Sequence, residues 1–426
     1  MARACAPWVL VAVWLGMLDM VSAADEAPLF WEGCGEIGVM QGQGDADQPA
    51  RVTSLSEFPD VQTGDLVPPC AAGAAEEFWE MPVLYPCKVA RAEVAWILRV
   101  MLGDCGTALR IFCTEDVLPV ATSNVPGVAN ASQASTKALL GVVSEQRGSC
   151  RLVAVLSSRV YGRAKAFLQL IGIPIRSSVL VHISDEQARA GKWGGVDQAY
   201  WAAEYVLWKV AFRNHWLDDT RGSFAGAVAK GHLAYFPLGF TRQMLGVASL
   251  QRHPRPSASR RALLTSFAGR PALREGQLRA AEAETRGLLV VRPSTGRYSS
   301  RDQGYIDFML NSSLCLNLPG ASVECFRLYE SLEAGCLPLL VEGWGPMGEM
   351  QANDAVREAL APLVQVSGSW PPFLFVPGHQ SLHRVLMGFQ QNPAELDRRQ
   401  SSAGAWWTAA KQHFRNKFCR QVFRRT

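Results

Sequence analysis

Between residues 318 and 342 the chain reads LPGASVECFRLYESLEAGCLPLLVE, and few folds accommodate that order of signals. Pro319-Gly320 closes the apolar run 314–318. Ser322 then offers a hydroxyl that accepts from the first free amides of a helix, so a helix is expected from about Val323. Gly335 ends it, and Leu337-Pro-Leu-Leu-Val341 is a short apolar run of the kind parallel strands use when both faces are covered. The expected unit is strand, turn, helix, turn, strand. Cys325, Leu328, Tyr329 and Leu332 share one helical face, while Arg327 and Glu330 lie on the other and point outward. A helix N-terminus at the carboxyl edge of a parallel sheet presents free amides and a positive dipole end, which suits a diphosphate. Arg327 would then contact phosphate oxygens and Glu330 ribose hydroxyls. Periodicity alone favours the plainer alternative, a solvated Arg327–Glu330 pair on an ordinary packing helix.

The same segment resembles the nucleotide-sugar-binding segment of exostosin-like glycosyltransferases, approximately E-x-F-R-x-x-E-A-x-x-x-G-C/A-x-P-V. Glu324, Phe326, Arg327, Glu330, Gly335 and Pro338 fall in place, with Ser331 for the usual Ala and Leu339 for the usual Val. Retaining members of the wider group carry a second Glu eight residues before the one matching Glu330. That position is Ser322, so the resemblance implies an inverting enzyme.

At 426 residues the chain exceeds one ordinary core and points to two domains. Its 48% apolar content excludes a wholly disordered chain, and a net charge of +4 is too small to imply a nucleic-acid partner. Residues 1–24 combine Arg3, an apolar stretch over 6–18 and Val21-Ser-Ala23, which reads as a signal peptide or, uncleaved, a signal anchor that would hold the protein to a membrane. Either way the remainder is expected in the secretory pathway. Of eleven cysteines, ten remain without Cys5, an even number suited to disulfides; no spacing indicates zinc. Asn130-Ala-Ser and Asn311-Ser-Ser are glycosylation sequons, the second directly before a buried-looking strand. Residues 25–82, acidic and rich in Gly, Ala and Pro, read as a poorly ordered stem. Its Asp45-Ala-Asp47 has no strand before it, so no metal site is expected there.

A first domain is expected over 83–245. Helix-like 89–101, strand-like 109–113 and 152–156, helix-like 159–172 and strand-like 178–183 alternate as in a parallel sheet with covering helices. The last of these runs into His182-Ile-Ser-Asp185-Glu186, at a carboxyl strand end where α/β proteins bind ligands. Asp185 or Glu186 is the candidate base; the alternative is Asp185 capping the following turn. The S-D-E element, Arg213-Asn-His-Trp216 and Phe236-Pro-Leu-Gly-Phe240 also resemble the N-terminal half of exostosin-like enzymes, and His215 and His232 read as structural. Residues 246–260, rich in Arg, Pro and Ser, read as a linker.

A second domain is expected over 261–395, with strands at 262–267, 288–291, 314–318 and 373–376. Its first strand runs into Gly269-Arg270, and the helix after it carries Arg274, resembling the S-F-x-G-x-x-x-x-x-R element that opens the family's donor domain. Arginine there suits bidentate contact with a diphosphate leaving group. Residues 396–426 should form a helix packing across both domains, with Trp406, Trp407 and Phe414 as packing residues.

The expected fold class is α/β and GT-B-like, two Rossmann-like domains facing a cleft. The resemblance, strongest over 179–418 and closest to the ribitol xylosyltransferase branch, implies transfer of a sugar from a nucleotide-sugar, a UDP-sugar, to a glycan hydroxyl. It implies no cofactor and no metal, a Golgi setting, Asp185 or Glu186 as base, and a donor site of Gly269, Arg270, Arg274, Gly320, Ser322, Arg327, Glu330 and Glu333. The alternative is a catalytically inert glycan- or nucleotide-binding protein on the same fold.

Overall fold

The computed structural model describes residues 81–85, 96–97, 109–114, 139, 152–170, 173, 175–183, 198–214, 224–241, 244, 255–269, 271, 274–293, 303–320, 322–344 and 355–423. All lie within one compact unit, Ile37–Thr426. Asp185, Glu186, Arg270, Asn130, Asp45 and the 1–24 segment lie outside the described residues.

Among the described residues eleven strands form two sheets, and every pairing is parallel. The first sheet comprises β1 (Met81–Tyr85), β2 (Leu109–Cys113), β3 (Val153–Ser157), β4 (Val179–Ile183), β5 (Val210–Arg213) and β6 (Leu233–Tyr235), in the order β2-β1-β3-β4-β5-β6. The second comprises β7 (Leu263–Gly269), β8 (Leu289–Pro293), β9 (Ser312–Leu316), β10 (Leu337–Val341) and β11 (Leu374–Val376), in the order β11-β10-β9-β7-β8. The two-sheet α/β architecture read from the sequence is therefore present. The sequence signals no strand at β1, whose Met81 and Pro82 fall in the stretch read as a stem, or at β5. Their strand character comes from pairing with β3 and β4 rather than from any period of their own. β9 begins two residues earlier than expected because Ser312 and Ser313, polar in sequence, are buried: Ser312 Oγ donates to Phe308 O (2.6 Å) and Ser313 Oγ to Ala258 O (2.5 Å). Asn311, the sequon residue before it, is exposed.

Strand alternation decides where each side chain goes. In the first sheet Val153, Val155, Val179, Val181 and Phe212 face a core shared with the second sheet, while Ala154, Leu156, Leu180 and Ala211 face a smaller core under α1 (Ser158–Leu170) and α2 (Gln198–Tyr205). His182 belongs to the second set. Its ring lies tilted against Trp201 at 4.2 Å and its Nδ1 pairs with Tyr205 Oη at 2.7 Å, a position inside the domain rather than on a ligand crevice.

The remaining helices are α3 (Ala225–Ala229), α4 (Glu275–Thr285), α5 (Gln303–Leu310), α6 (Phe326–Ala334), α7 (Ala355–Leu360), α8 (Leu382–Gln391) and α9 (Pro393–Phe423). α9 packs on both sheets. Phe418 meets Phe212 (4.6 Å) and Phe414 meets Tyr235 (5.7 Å) in the first domain, while Trp407 meets Tyr329 (5.5 Å) and Trp406 meets Phe373 (5.3 Å) in the second. Among the described residues no helix is long and apolar enough to cross a membrane.

Candidate donor site at the second sheet

The second sheet reverses its direction of growth between β7 and β9, which is where open parallel sheets form a ligand crevice at their carboxyl edge. Two glycines stand at that edge, Gly269 ending β7 and Gly320 in the turn after β9. Each makes room for a guanidinium. A Cβ on Gly269 would lie 2.1 Å from Arg327 Nη2, and one on Gly320 would lie 2.2 Å from Arg274 Nη2. Arg327 donates Nε to Ala268 O and lies over the Phe267 ring (4.6 Å); Arg274 donates Nε to Leu318 O (3.0 Å). Each guanidinium plane is thus set by a carbonyl at a strand end, and each arginine is buried to within 5% exposure.

α6 starts three residues later than Ser322 predicted. Its N-cap is Cys325, in extended backbone, and no side chain caps it. The delay has a cause in Glu324, whose Oε1 accepts from Tyr235 Oη (2.8 Å), Leu238 N (2.8 Å) and Tyr329 Oη (2.5 Å), so that residues 322–324 are drawn to the first domain before the helix begins. Gly335 ends α6 as expected, at φ 64°. Beyond it Arg261, buried and lowered to about 10 by desolvation and by Arg255, collects the carbonyls of Met309, Ser312 and Ala334 and fixes the helix end.

The expectation that Arg327 and Glu330 point outward is corrected. α6 is buried all round, with Glu330 1% and Glu333 6% exposed. The face an isolated helix would show to water is covered by the first domain and by α9. Glu330 accepts from Thr241 Oγ1 on Oε1 and from Tyr305 Oη (2.6 Å) on Oε2. Glu333 faces α9, accepting from Lys411 Nζ (2.7 Å) and Trp407 Nε1 (2.8 Å), with Arg255 at 3.6 Å. Burial alone would raise the Glu333 carboxyl; the Lys411 ammonium, Arg255 and the indole N–H outweigh it and hold it below its usual value.

Gly269, Arg274, Gly320, Ser322, Arg327 and Glu330 are therefore gathered within one sheet-edge region from segments far apart in sequence, while Glu333 turns to α9. Thr241, Tyr305 and Glu324's partner Tyr235 carried no signal in the sequence, since each acquires its role from a partner 25 to 89 residues away.

Residues 289–425, which begin with β8 and include all of α9, match the family model described as the RXYLT1 C-terminal domain. The match agrees with the branch that the sequence resembles, and the matched segment contains Tyr305, Gly320, Ser322, Arg327, Glu330 and Glu333, whereas Gly269 and Arg274 lie before it. No curated protein matches the chain. Among solved structures, an α1,3-fucosyltransferase is 9% identical over 84% of this chain and 94% of its own, with a TM-score of 0.41. The UDP-forming α,α-trehalose-phosphate synthase from Burkholderia vietnamiensis is 9% identical over 81% and 98%, at 0.45. A glycosyltransferase from Rickettsia africae is 10% identical over 82% and 100%, at 0.43. These similarities are weak, and the two-sheet architecture rests on the strand order itself.

Proposed function

We propose that this chain is a glycosyltransferase that moves a sugar from a UDP-sugar to a glycan hydroxyl, with inversion and without a metal ion, in the Golgi lumen of the secretory pathway. The observation that carries the reading is the pair Arg274 and Arg327, each set against a glycine at the switch point of the second sheet. An inverting displacement needs a base for the acceptor hydroxyl and stabilisation of the departing diphosphate. Two fixed guanidinium planes suit the second task, because arginine stays charged and matches phosphate oxygens bidentately. Glu330, one turn along α6 from Arg327, is the ribose anchor. The base is Asp185 or Glu186, which follow β4. Arg270, directly after Gly269, is a further diphosphate contact.

A second reading is favoured by the burial of Glu330 and both arginines: a protein that binds a nucleotide or glycan without turnover would keep the same groups. Thermal shift and donor hydrolysis on the full chain with UDP and UDP-xylose, UDP-glucuronate, UDP-galactose and UDP-N-acetylglucosamine separate the two. Stabilisation by one UDP-sugar with its slow hydrolysis, both lost in Arg327→Ala, supports the transferase. Stabilisation without turnover in the presence of candidate acceptors supports the inert protein, and no response to any nucleotide overturns both.

A further inference from the structure

The carboxylate assigned to the donor already accepts a hydroxyl of this chain on each of its two oxygens. Thr241 Oγ1 donates to one oxygen of Glu330 and Tyr305 Oη to the other at 2.6 Å, and Thr241, Tyr305 and Glu330 are 3%, 5% and 1% exposed. Two hydroxyls on the two oxygens of one carboxylate is the pattern a vicinal diol makes with it. The two donors differ in origin. Tyr305 sits on α5, which packs on α6, and so belongs to the same domain as Glu330. Thr241 follows β6 in the first domain, so its hydroxyl reaches Glu330 across the seam.

Resting on the donor-site reading above, we infer that Thr241 is a stand-in for a ribose hydroxyl: it holds Glu330 when no nucleotide is bound and leaves when one arrives. Tyr305 stays and is a positioning residue that keeps the carboxylate turned to the incoming hydroxyls. A ligand that must displace an internal partner binds more weakly by the stability of that partner's contact. Removing the Thr241 hydroxyl therefore tightens nucleotide binding, and removing the Tyr305 hydroxyl loosens it. Only ligands that carry the ribose respond, because a bare diphosphate engages Arg274 and Arg327 without needing Glu330.

The test is calorimetric titration of the full chain with UDP and, separately, with inorganic diphosphate, for wild type, Thr241→Val, Thr241→Ser and Tyr305→Phe, each with its folding checked by thermal melting. Expected are a three- to tenfold tighter UDP affinity in Thr241→Val, wild-type affinity in Thr241→Ser, a several-fold weaker one in Tyr305→Phe, and unchanged diphosphate binding in all. Unchanged or weaker UDP binding by Thr241→Val overturns the inference and leaves the donor site standing. Equal tightening toward diphosphate also overturns it, since that marks general loosening of the seam. Failure of wild type to bind UDP overturns the donor-site reading and this inference together.

Discussion

Gly269 and Arg327 compete for one volume: a Cβ on the glycine would sit 2.1 Å from the arginine's Nη2 and 3.3 Å from the edge of the Phe267 ring. The arginine's orientation at the sheet edge thus depends on a residue without a side chain 58 positions earlier. Gly269→Ala is expected to push the guanidinium off its place over Phe267 and weaken diphosphate binding about tenfold, the worth of one charge-assisted contact. The melting temperature should fall as well, because Gly269 holds φ 155°, a backbone conformation that residues with a side chain rarely adopt, even though the far end of Arg327 can swing aside. Titration with inorganic diphosphate checks this, and full retention of affinity would show that Arg327 does not contact the ligand.

Gly239 presents the opposite case. It has φ 75°, and its Cβ would fall 2.1 Å from the Trp96 indole, which is itself stacked on Trp407 of α9 at 5.2 Å. Neither ring can retreat within a buried core. Gly239→Ala is therefore expected to destabilise the fold by about 3 kcal/mol or more, combining left-handed backbone strain with overpacking. Denaturant unfolding measures it, and a loss under about 1 kcal/mol would contradict the packing described.

Glu324 is the single acceptor for three donors that meet at the domain seam. Glu324→Ala leaves the Tyr235 and Tyr329 hydroxyls and the Leu238 amide without it, with an expected cost of about 3 kcal/mol. Tyr235 and Tyr329 are held well above 10 by burial and by the Glu324 charge. The unfolded chain ionises its tyrosines near their ordinary value of 10, so their contribution is complete below that pH and is lost as pH rises above it. Alkaline melting curves should show the loss, and Tyr235→Phe should shallow it.

Glu333 governs the acid side. Its carboxyl lies below the ordinary value of 4.5, because Lys411, Arg255 and Trp407 outweigh the burial that acts the other way. A depressed carboxyl stabilises the fold above the unfolded value, and the contribution disappears as pH falls through the folded one. Stability of the wild type should therefore drop from about pH 4.5 downward. Lys411→Met should cost about 3 kcal/mol at neutral pH, by leaving the Glu333 charge buried without its nearest cation, and should flatten that acid limb. An unaltered acid limb in Lys411→Met would remove the pair from the account.

Cys315 and Cys336 form a disulfide across 21 residues of sequence, joining β9 to the turn between α6 and β10. Cys325 is a free thiol, so the even number of cysteines left without Cys5 does not pair throughout. Replacing both bridging cysteines with alanine is expected to cost about 3 kcal/mol through the chain entropy regained on unfolding. The bridge spans the whole of α6, so nucleotide affinity should fall with it. A melt of the double variant alongside a UDP titration tests both.

Much of the second domain was legible because its signals are local. Gly335 stops α6 by its own backbone freedom, Leu337–Val341 is apolar enough to demand cover on both faces, and the motif from Glu324 to Pro338 is contiguous. The sequence by itself therefore determined that a helix follows a strand and precedes another, and that Arg327 and Glu330 lie one turn apart on it. What it did not determine is what those side chains face. Helical periodicity assigned them to water because an isolated helix has a solvent side. Only tertiary structure supplied Thr241, Tyr305, Tyr235 and α9 to cover that side, and only it drew Glu324 away from the helix start that Ser322 marks. Partners 89 residues distant leave no trace in local pattern, since a hydroxyl's affinity for a carboxylate acts over a hydrogen bond's length in space whatever the separation along the chain.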